Sequence, residues 1–273
     1  DSLAFFVSPR SLTEEIEGCA KLAENMGTQS LFTFSPDTAI IGSETYQDID
    51  WDNLSPYDTI LLLGLDSWVL RSAYGVKLRK AKRNRTKLII IGYDDMLSVY
   101  RPDSFIPLKE LKSKISNLKS DLKIAKNPLI IFNPDVDRNV LKLVKKDLGN
   151  IPMAPIYTKS NMRTLVNMGI TFPPLDKRFK GIFIFGEDPV GLSDEPDKIR
   201  DFFKDTEFLA VCDLFFTQTA KLADVVIPAA SFAEMDGSFV NTMGKVQKVK
   251  KAIPPLTGFT NLQLLEMLNK DTK

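Results

Sequence analysis

The stretch from Thr59 to Gly92 opens with Thr59-Ile-Leu-Leu-Leu-Gly64 and closes with Lys87-Leu-Ile-Ile-Ile-Gly92, and it decides the fold class. Each end is a near-continuous apolar run of strand length stopped by a glycine, as expected of a strand buried on both faces. Between them, from about Trp68 to Arg83, the pattern is helix-like. Two buried strands joined by one helix make a strand–helix–strand unit of the parallel type. The same alternation continues outward. Leu3–Val7 reads as a strand. A helix follows, with Ser11 or Thr13 as its cap, with Ile16, Cys19, Ala20 and Ala23 at helical spacing, and with Gly27 as its stop. Ser30–Phe34 resembles a second strand. Downstream, Leu108–Lys126 reads as an amphipathic helix, Leu129–Phe132 as a strand and Asp135–Leu148 as a helix closed by Gly149. Pro152–Tyr157 is extended. Gly181–Phe185, Phe208–Cys212 and Asp224–Ile227 read as strands, with helices over Asp194–Lys204 and near Thr217–Leu222. Ser35–Tyr57 and most of Thr158–Lys180 read as loop. The expected fold is α/β with one or two parallel sheets.

Composition narrows the function classes. The 273 residues carry 36 basic and 35 acidic side chains, a net charge of +1, so global electrostatics favour neither nucleic acid nor an anionic membrane surface. No apolar run approaches the ~20 residues that span a bilayer, so direct membrane insertion is not expected. Asp1–Pro9 lacks the pattern of a signal peptide, and the missing initiator Met points to a segment of a longer chain. There is no histidine, which removes imidazole as a base or metal ligand within this segment. The two cysteines, Cys19 and Cys212, lie in apolar contexts far apart. An iron–sulphur cluster needs about four thiolates, so buried thiols acting as small hydrophobes are expected instead.

Four constellations stand out. Gly186-Glu-Asp-Pro189 follows a parallel strand, where open α/β sheets place ligands, and reads either as a ligand-approach turn or as a plain strand-to-helix turn. Gly64-Leu-Asp-Ser67 is a similar element, with Ser67 as a possible cap. Neither is a dinucleotide fingerprint and no phosphate-binding lysine follows. Lys77–Lys87 holds seven basic residues in eleven, read either as a phosphate or acidic-partner site or as a solvated helix face with a cationic end. It lacks the interleaved aromatics of a nucleic-acid reader. Finally, Ala223–Asn241 runs from a buried strand through Pro228 into a small-residue loop with two acids. Glu234 and Asp236 there read either as an acid/base pair or as loop-capping carboxylates that accept backbone N–H groups.

Phe208-Leu-Ala-Val-Cys-Asp-Leu-Phe-Phe-Thr-Gln-Thr219 and the following residues to Asn241 closely resemble the molybdopterin oxidoreductase family. That family includes formate dehydrogenases and the large iron–sulphur subunit of bacterial complex I. Gly186-Glu-Asp-Pro189 is similar to its post-strand nucleotide loop, and Ser8-Pro-Arg-Ser-Leu-Thr-Glu-Glu15 to its S-x-R-x-T-x-E-E helix start. Gly64 to Ile91 has the spacing of another of its units, and Asn161 with Met168-Gly169 resembles a further loop. The resemblance implies one α/β lobe, residues 1–34 plus 127–273, interrupted by an inserted α/β lobe, residues 35–126. In active members each lobe binds half of a bis-guanine-dinucleotide cofactor. It also implies cofactor contacts at Gly186, Glu187, Asp213, Thr217 and Thr219, as a vestigial pocket if any.

Departures from the family pattern shape the functional expectation. The segment lacks the cluster cysteines, the metal-ligating Cys with its neighbouring His and the C-terminal β-rich domain of active members. Leu65-Asp66 replaces Asn-Pro, and Gly92-Tyr-Asp94 replaces Asp-Pro-Arg. Met243 and Lys245 replace Glu and Arg of an N-T-E-G-R pattern, and lysine loses bidentate phosphate geometry. The expectation is a non-catalytic scaffold part of the large iron–sulphur subunit of a complex I-type NADH dehydrogenase of the respiratory chain. It has no catalytic or metal residue and no cofactor in this segment, with iron–sulphur clusters on an N-terminal part. Its partners are the other subunits of the oxidoreductase complex, without nucleic acid. Its place is a peripheral arm on the cytoplasmic side of the inner membrane, or the matrix side in mitochondria. Two alternatives stay open. One is a fragment of an active molybdenum or tungsten bis-molybdopterin guanine dinucleotide enzyme such as formate dehydrogenase, and the other is a stand-alone nucleotide-binding module.

Overall fold

The computed structural model describes residues 2–35, 46–65, 72–92, 100–134 and 136–272. Strand β1 (Leu3–Val7) leads into helix α1 (Thr13–Asn25) and the short strand β2 (Leu31–Phe32). The Glu15 carboxylate accepts the backbone N–H of Leu12 at 2.6 Å and closes the first turn of α1. At its other end Thr28 N–H donates to the Ala23 carbonyl at 3.0 Å and Gly27 N–H to Glu24 at 2.9 Å, with Gly27 at φ +74°. These are the paired bonds of a Schellman stop, for which glycine is the cheap residue.

The chain then builds a second sheet. Its elements are β3 (Thr59–Leu63), α2 (Ala73–Arg83), β4 (Lys87–Gly92), β5 (Ser104–Pro107), α3 (Leu111–Ile124), β6 (Pro128–Phe132), α4 (Arg138–Leu148) and β7 (Met153–Pro155). The strands lie in the order β5-β4-β3-β6-β7, all parallel. Leu61, Leu63, Ile89, Ile91, Ile130 and Phe132 are buried in one cluster with Leu111, Ile115, Leu118 and Leu122 of α3. On the opposite face Ile60, Leu62, Leu88, Ile90, Leu129 and Ile131 are buried as well, so burial on both faces explains the continuous apolar runs.

Returning to the first sheet, the chain forms α5 (Met162–Asn167), β8 (Gly181–Phe185), α6 (Pro189–Leu192), α7 (Pro196–Phe203), β9 (Phe208–Asp213) and β10 (Val225–Pro228). A hairpin of β11 (Gly237–Val240) and β12 (Val246–Val249) and a closing helix α8 (Asn261–Asp271) complete the chain. The first sheet has the order β10-β9-β8-β1-β2 and is also parallel throughout. Its core is aromatic: Phe6 stacks on Phe34 with centroids 4.4 Å apart and meets Phe202 edge-on at 6.0 Å. The α/β expectation with parallel sheets matches what is observed.

The chain divides into two compact units, residues 1–39 with 159–273, and residues 40–158. The return to the larger unit, expected at 127, therefore needs correction. β6 pairs with β3 from Thr59–Pro128 to Leu63–Phe132, and β7 pairs with β6, so both strands complete the inserted sheet. Residues 158–180 are not all loop either, since α5 lies among them.

Helix α2 ends with the same paired bonds as α1, but its positive-φ position is Arg85 at +71°. Thr86 N–H donates to Ala81 and Arg85 N–H to Lys82. A left-handed non-glycine residue costs about 1–2 kcal/mol. Arg85→Gly is thus expected to raise the unfolding free energy by about 1 kcal/mol, read as a higher denaturation midpoint. A neutral or negative change would show that the exposed Arg85 side chain offsets its own backbone strain. Within the same basic run Lys82 pairs with Asp103 at 2.8 Å and Lys77 pairs with Asp52. Lys80, Arg83, Arg85 and Lys87 are exposed, as in the solvated-face reading.

Candidate functional site

The first sheet reverses its strand order between β1 and β8, and a crevice forms outside the carboxyl ends of such strands. Four strand ends converge there. After β1, Ser8 N–H donates to the Phe185 carbonyl at 3.0 Å, and Ser11 N–H to the Ser8 carbonyl at 3.1 Å. After β8, Gly186 adopts φ +69° and its N–H donates to the Cys212 carbonyl at 2.8 Å. A Cβ on Gly186 would lie 3.4 Å from Ser8 Cβ and 3.5 Å from Ser11 Oγ, so the backbone angle rather than space demands glycine. After β9, the Asp213 carboxylate accepts Phe215 N–H at 3.1 Å, and after β10 Ala229 N–H donates to the Asp213 carbonyl at 3.0 Å.

These ends enclose a cleft of about 500 Å³, lined by the buried Ser8 and, at its more exposed mouth, by Arg10, Gly186, Asp188, Asp213 and Thr217. Its floor includes Glu15 and Cys19 of α1, Cys212, Met235 and Asn261. Leu192, Phe215 and Phe232 line it too and are 69%, 74% and 62% exposed, which gives the mouth an apolar rim.

Of the five residues expected to contact a cofactor, Gly186, Asp213 and Thr217 line this cleft. Glu187 and Thr219 are buried behind it. Glu187 accepts the Thr33 hydroxyl at 2.6 Å and Phe34 N–H at 2.9 Å. Burial pushes its carboxyl up to about 7, against the opposing pull of those two donors and of the Lys159 and Arg10 charges. The Thr219 hydroxyl donates to Asp188 at 2.6 Å and accepts Val190 N–H at 3.1 Å. Asp188 also accepts Thr219 N–H at 2.9 Å and Gly191 N–H at 3.0 Å. Desolvation opposes its ionisation, but the donors from Thr219, Gly191 and Gln218 hold its carboxyl below the usual range. Asp188 therefore clamps the loop that carries Asp213 and Thr217 onto the first turn of α6.

The Asp213 carboxyl is raised by desolvation and by the nearby Asp188 charge, with backbone donors from Phe215 and Leu214 pulling the other way. Burial, followed by the Glu15 charge, pushes the Cys212 thiol up to about 12, and the same two causes raise Cys19 well above its ordinary value. Both thiols are buried small hydrophobes, as expected. Glu234 accepts Ser231 N–H at 2.6 Å and Leu256 N–H at 2.7 Å, and Asp236 accepts Lys251 N–H at 3.0 Å. The loop-capping reading of these two acids is the observed one.

Sequence reasoning missed the support of the site. Asn161 is completely buried and donates to the Ser11 carbonyl at 2.9 Å while accepting Val240 N–H at 2.8 Å, so it fastens the Ser8–Leu12 turn to β11. Arg10 was missed as a cleft residue, although its place just past a parallel strand was a usable signal. Asp66, Tyr93 and Asp94, three of the residues that depart from the family pattern in the inserted lobe, and Ser67, the possible cap, lie outside the described residues. Among the described residues no group of three or more Cys, Asp or Glu is placed to hold a metal ion. Among them, too, no helix is long and apolar enough to cross a membrane.

Residues 162–258, which include most of the cleft mouth, match the molybdopterin oxidoreductase family. This stretch resembles a molybdopterin oxidoreductase domain. An F420-dependent formate dehydrogenase subunit alpha from Methanocaldococcus jannaschii is 43% identical over 103 residues, 36% of this chain and 15% of that protein. Formate dehydrogenase H from Escherichia coli is 37% identical over 76 residues, 28% of this chain and 11% of that protein. In three dimensions the chain superimposes on acetylene hydratase from Pelobacter acetylenicus with a TM-score of 0.64 at 13% identity, covering 98% of this chain and 56% of that one. This last likeness concerns the fold.

The relatives correct the functional expectation. They are formate dehydrogenases, so the complex I scaffold, with its NADH dehydrogenase and respiratory-chain assignments, is overturned. That reading took missing metal ligands as lost chemistry. In a chain whose matched stretch spans 15% and 11% of two relatives, such gaps carry no weight. The expectation of no cofactor in this segment likewise conflicts with its match to a family named for its pterin.

Proposed function

We propose that this chain is part of a molybdenum or tungsten oxidoreductase of the formate dehydrogenase kind, and that its cleft holds the guanine nucleotide end of a molybdopterin guanine dinucleotide. One observation carries the reading: Asp213 and Thr217 sit at the mouth of a cleft built at the sheet's reversal point. A carboxylate accepts the ring N–H and amino group of guanine together, in the bidentate manner that adenine cannot answer. Gly186 brings backbone to the cleft wall without a side chain, and Arg10 supplies a cation for a pyrophosphate. The cleft volume of about 500 Å³ suits one nucleotide rather than a whole dinucleotide.

The cofactor, when bound, supplies metal-centred redox chemistry. The residues of this chain bind and orient its nucleotide end, and the apolar rim of Leu192, Phe215 and Phe232 keeps water from the base. The alpha-subunit names of the methanogen relatives support further subunits as partners.

GDP-mannose and ADP-ribose, both pyrophosphate diesters, discriminate the bases by titration calorimetry on cofactor-free protein. GDP-mannose is expected to bind and ADP-ribose to bind at least tenfold more weakly. Asp213→Ala is expected to weaken GDP-mannose by about 10- to 100-fold, the range for losing a charged hydrogen-bonding partner. Equal affinity for the two ligands would sink the guanine reading.

A further inference from the structure

The near-zero net charge of the chain conceals a partition between its two units. Residues 40–158 carry nineteen basic and fourteen acidic side chains, whereas the remainder carries seventeen and twenty-one. Within the inserted unit, positive charge gathers at the amino ends of β4, β3 and β6, which lie level because Thr59 pairs with both Lys87 and Pro128. The turn Pro56–Asp58 before β3 ties the neighbouring segments together. The Asp58 carbonyl accepts Lys87 N–H at 2.8 Å, and the Asp58 carboxylate accepts Lys126 N–H at 2.7 Å. The Tyr57 carbonyl accepts the Thr86 hydroxyl at 3.0 Å, and the Pro56 carbonyl accepts the Asn127 amide at 2.9 Å. Arg83, Arg85 and Lys87 thus flank this turn on its β4 side, and Lys123 and Lys126 on its β6 side. All five are exposed, and among the described residues none of them pairs with a carboxylate. Ile124, at the end of α3, is 83% exposed.

We infer that this amino-terminal edge of the inserted sheet is a docking surface for an acidic protein segment that carries an apolar residue. The surface belongs to the inserted unit alone and does not depend on what the cleft of the larger unit binds. Five cations surround one carboxylate, Asp58, whose oxygens already accept the backbone N–H groups of Lys126 and Asn127. Their summed field attracts carboxylates and is screened by salt. An exposed isoleucine within a cationic rim has the anatomy of a protein interface, an apolar centre with a polar border. Single-stranded nucleic acid calls instead for exposed aromatic platforms, and Tyr57 of the turn is half-buried. Arg85 adds independent support. It holds φ +71° at a helix stop that glycine fills more cheaply. The cationic end that it lends α2 is already supplied by Lys80, Lys82 and Arg83. With no carboxylate partner among the described residues, the gain that offsets its strain lies outside the chain.

Fluorescence anisotropy on the full chain tests this with a labelled twelve-residue peptide repeating Glu-Glu-Leu. Poly-glutamate of equal length, a thymidine oligonucleotide of equal length and phosphatidylglycerol vesicles serve as comparisons. The Glu-Glu-Leu peptide is expected to bind, and to lose about tenfold in affinity from 50 to 200 mM salt. It is expected to exceed poly-glutamate by about threefold or more, through burial of a leucine against Ile124. The double variant Arg83→Glu with Lys87→Glu is expected to bind about tenfold more weakly or worse. Lys109→Glu with Lys112→Glu, beside the start of α3, makes the same charge change and is expected to alter affinity by less than about threefold. Arg85→Gly, which the helix stop favours, is expected to be at least as stable as wild type and to bind about three- to fivefold more weakly, so poor folding cannot mimic its loss. Equal losses in the two double variants, no loss in Arg85→Gly, equal affinity for the two peptides or no peptide binding overturns the inference. Tighter binding of the oligonucleotide or of the vesicles than of the Glu-Glu-Leu peptide overturns it as well, and assigns the surface to a phosphate-bearing partner.

Discussion

Replacing Asn161 with alanine is expected to lower the unfolding free energy by about 3–5 kcal/mol, among the largest effects of any single polar substitution here. The side chain is wholly buried and uses all its hydrogen-bonding capacity. Its amide nitrogen donates to the Ser11 carbonyl and to the Thr13 hydroxyl at 3.2 Å, and its oxygen accepts Val240 N–H and the Thr164 hydroxyl at 2.7 Å. Alanine strands several of these partners without water, and each stranded buried group costs about 1–3 kcal/mol. The connected elements are the turn before α1, α5 and β11, so the loss is also expected to loosen the Ser8–Ser11 wall of the cleft. Chemical denaturation at unchanged m-value measures it. A loss below about 1 kcal/mol would mean that water replaces the amide and that the turn is not held by it.

The second large effect is a pH dependence. Glu187 is raised to about 7 in the folded protein from an ordinary 4.5. The sign follows from proton counting: between these two values the folded chain holds a proton that the unfolded chain has released. Stability from this group is therefore fully present below about pH 4.5 and is lost as pH rises through 7. At roughly 1.4 kcal/mol per pH unit, the rise from 4.5 to about 7 makes the loss about 3–4 kcal/mol. Glu187→Gln keeps an acceptor for Phe34 N–H and a donor for the Thr33 hydroxyl without the buried charge. It is expected to be more stable than wild type at pH 8 by about that amount and equal to it near pH 4.5. Parallel melting curves at both pH values would show that the carboxyl titrates in its ordinary range and that burial there is relieved by motion.

Much of this protein was legible before folding, and the legible parts share one property. The strands Thr59–Leu63, Lys87–Gly92 and Gly181–Phe185 announce themselves because burial on both faces requires unbroken apolar residues, a demand met within five or six positions. Gly27 signals the end of α1 for the same local reason, since the stop needs a positive φ. The resemblance to the family could be read from Asp213–Asn241 because one continuous stretch carries the end of β9, β10 and the loops that follow them. The resemblance alone left complex I and formate dehydrogenase both open, and the formate dehydrogenase relatives decide against complex I.

What only the tertiary structure decided is long-range. Leu129–Phe132 is equally apolar beside either sheet, and its pairing with β3 across almost seventy residues assigns it to the inserted unit. The direction of Glu187 was equally invisible. Gly186 and Glu187 are neighbours in sequence, but after the left-handed turn at Gly186 one faces the cleft and the other meets Thr33 and Phe34 behind it. Asp188 and Thr219, thirty-one residues apart, find each other only once β8 and β9 lie side by side. By itself the sequence determined which segments must be buried and where they stop, because those demands are local. Pairing distant segments decided which strands share a sheet and which carboxylates face a ligand.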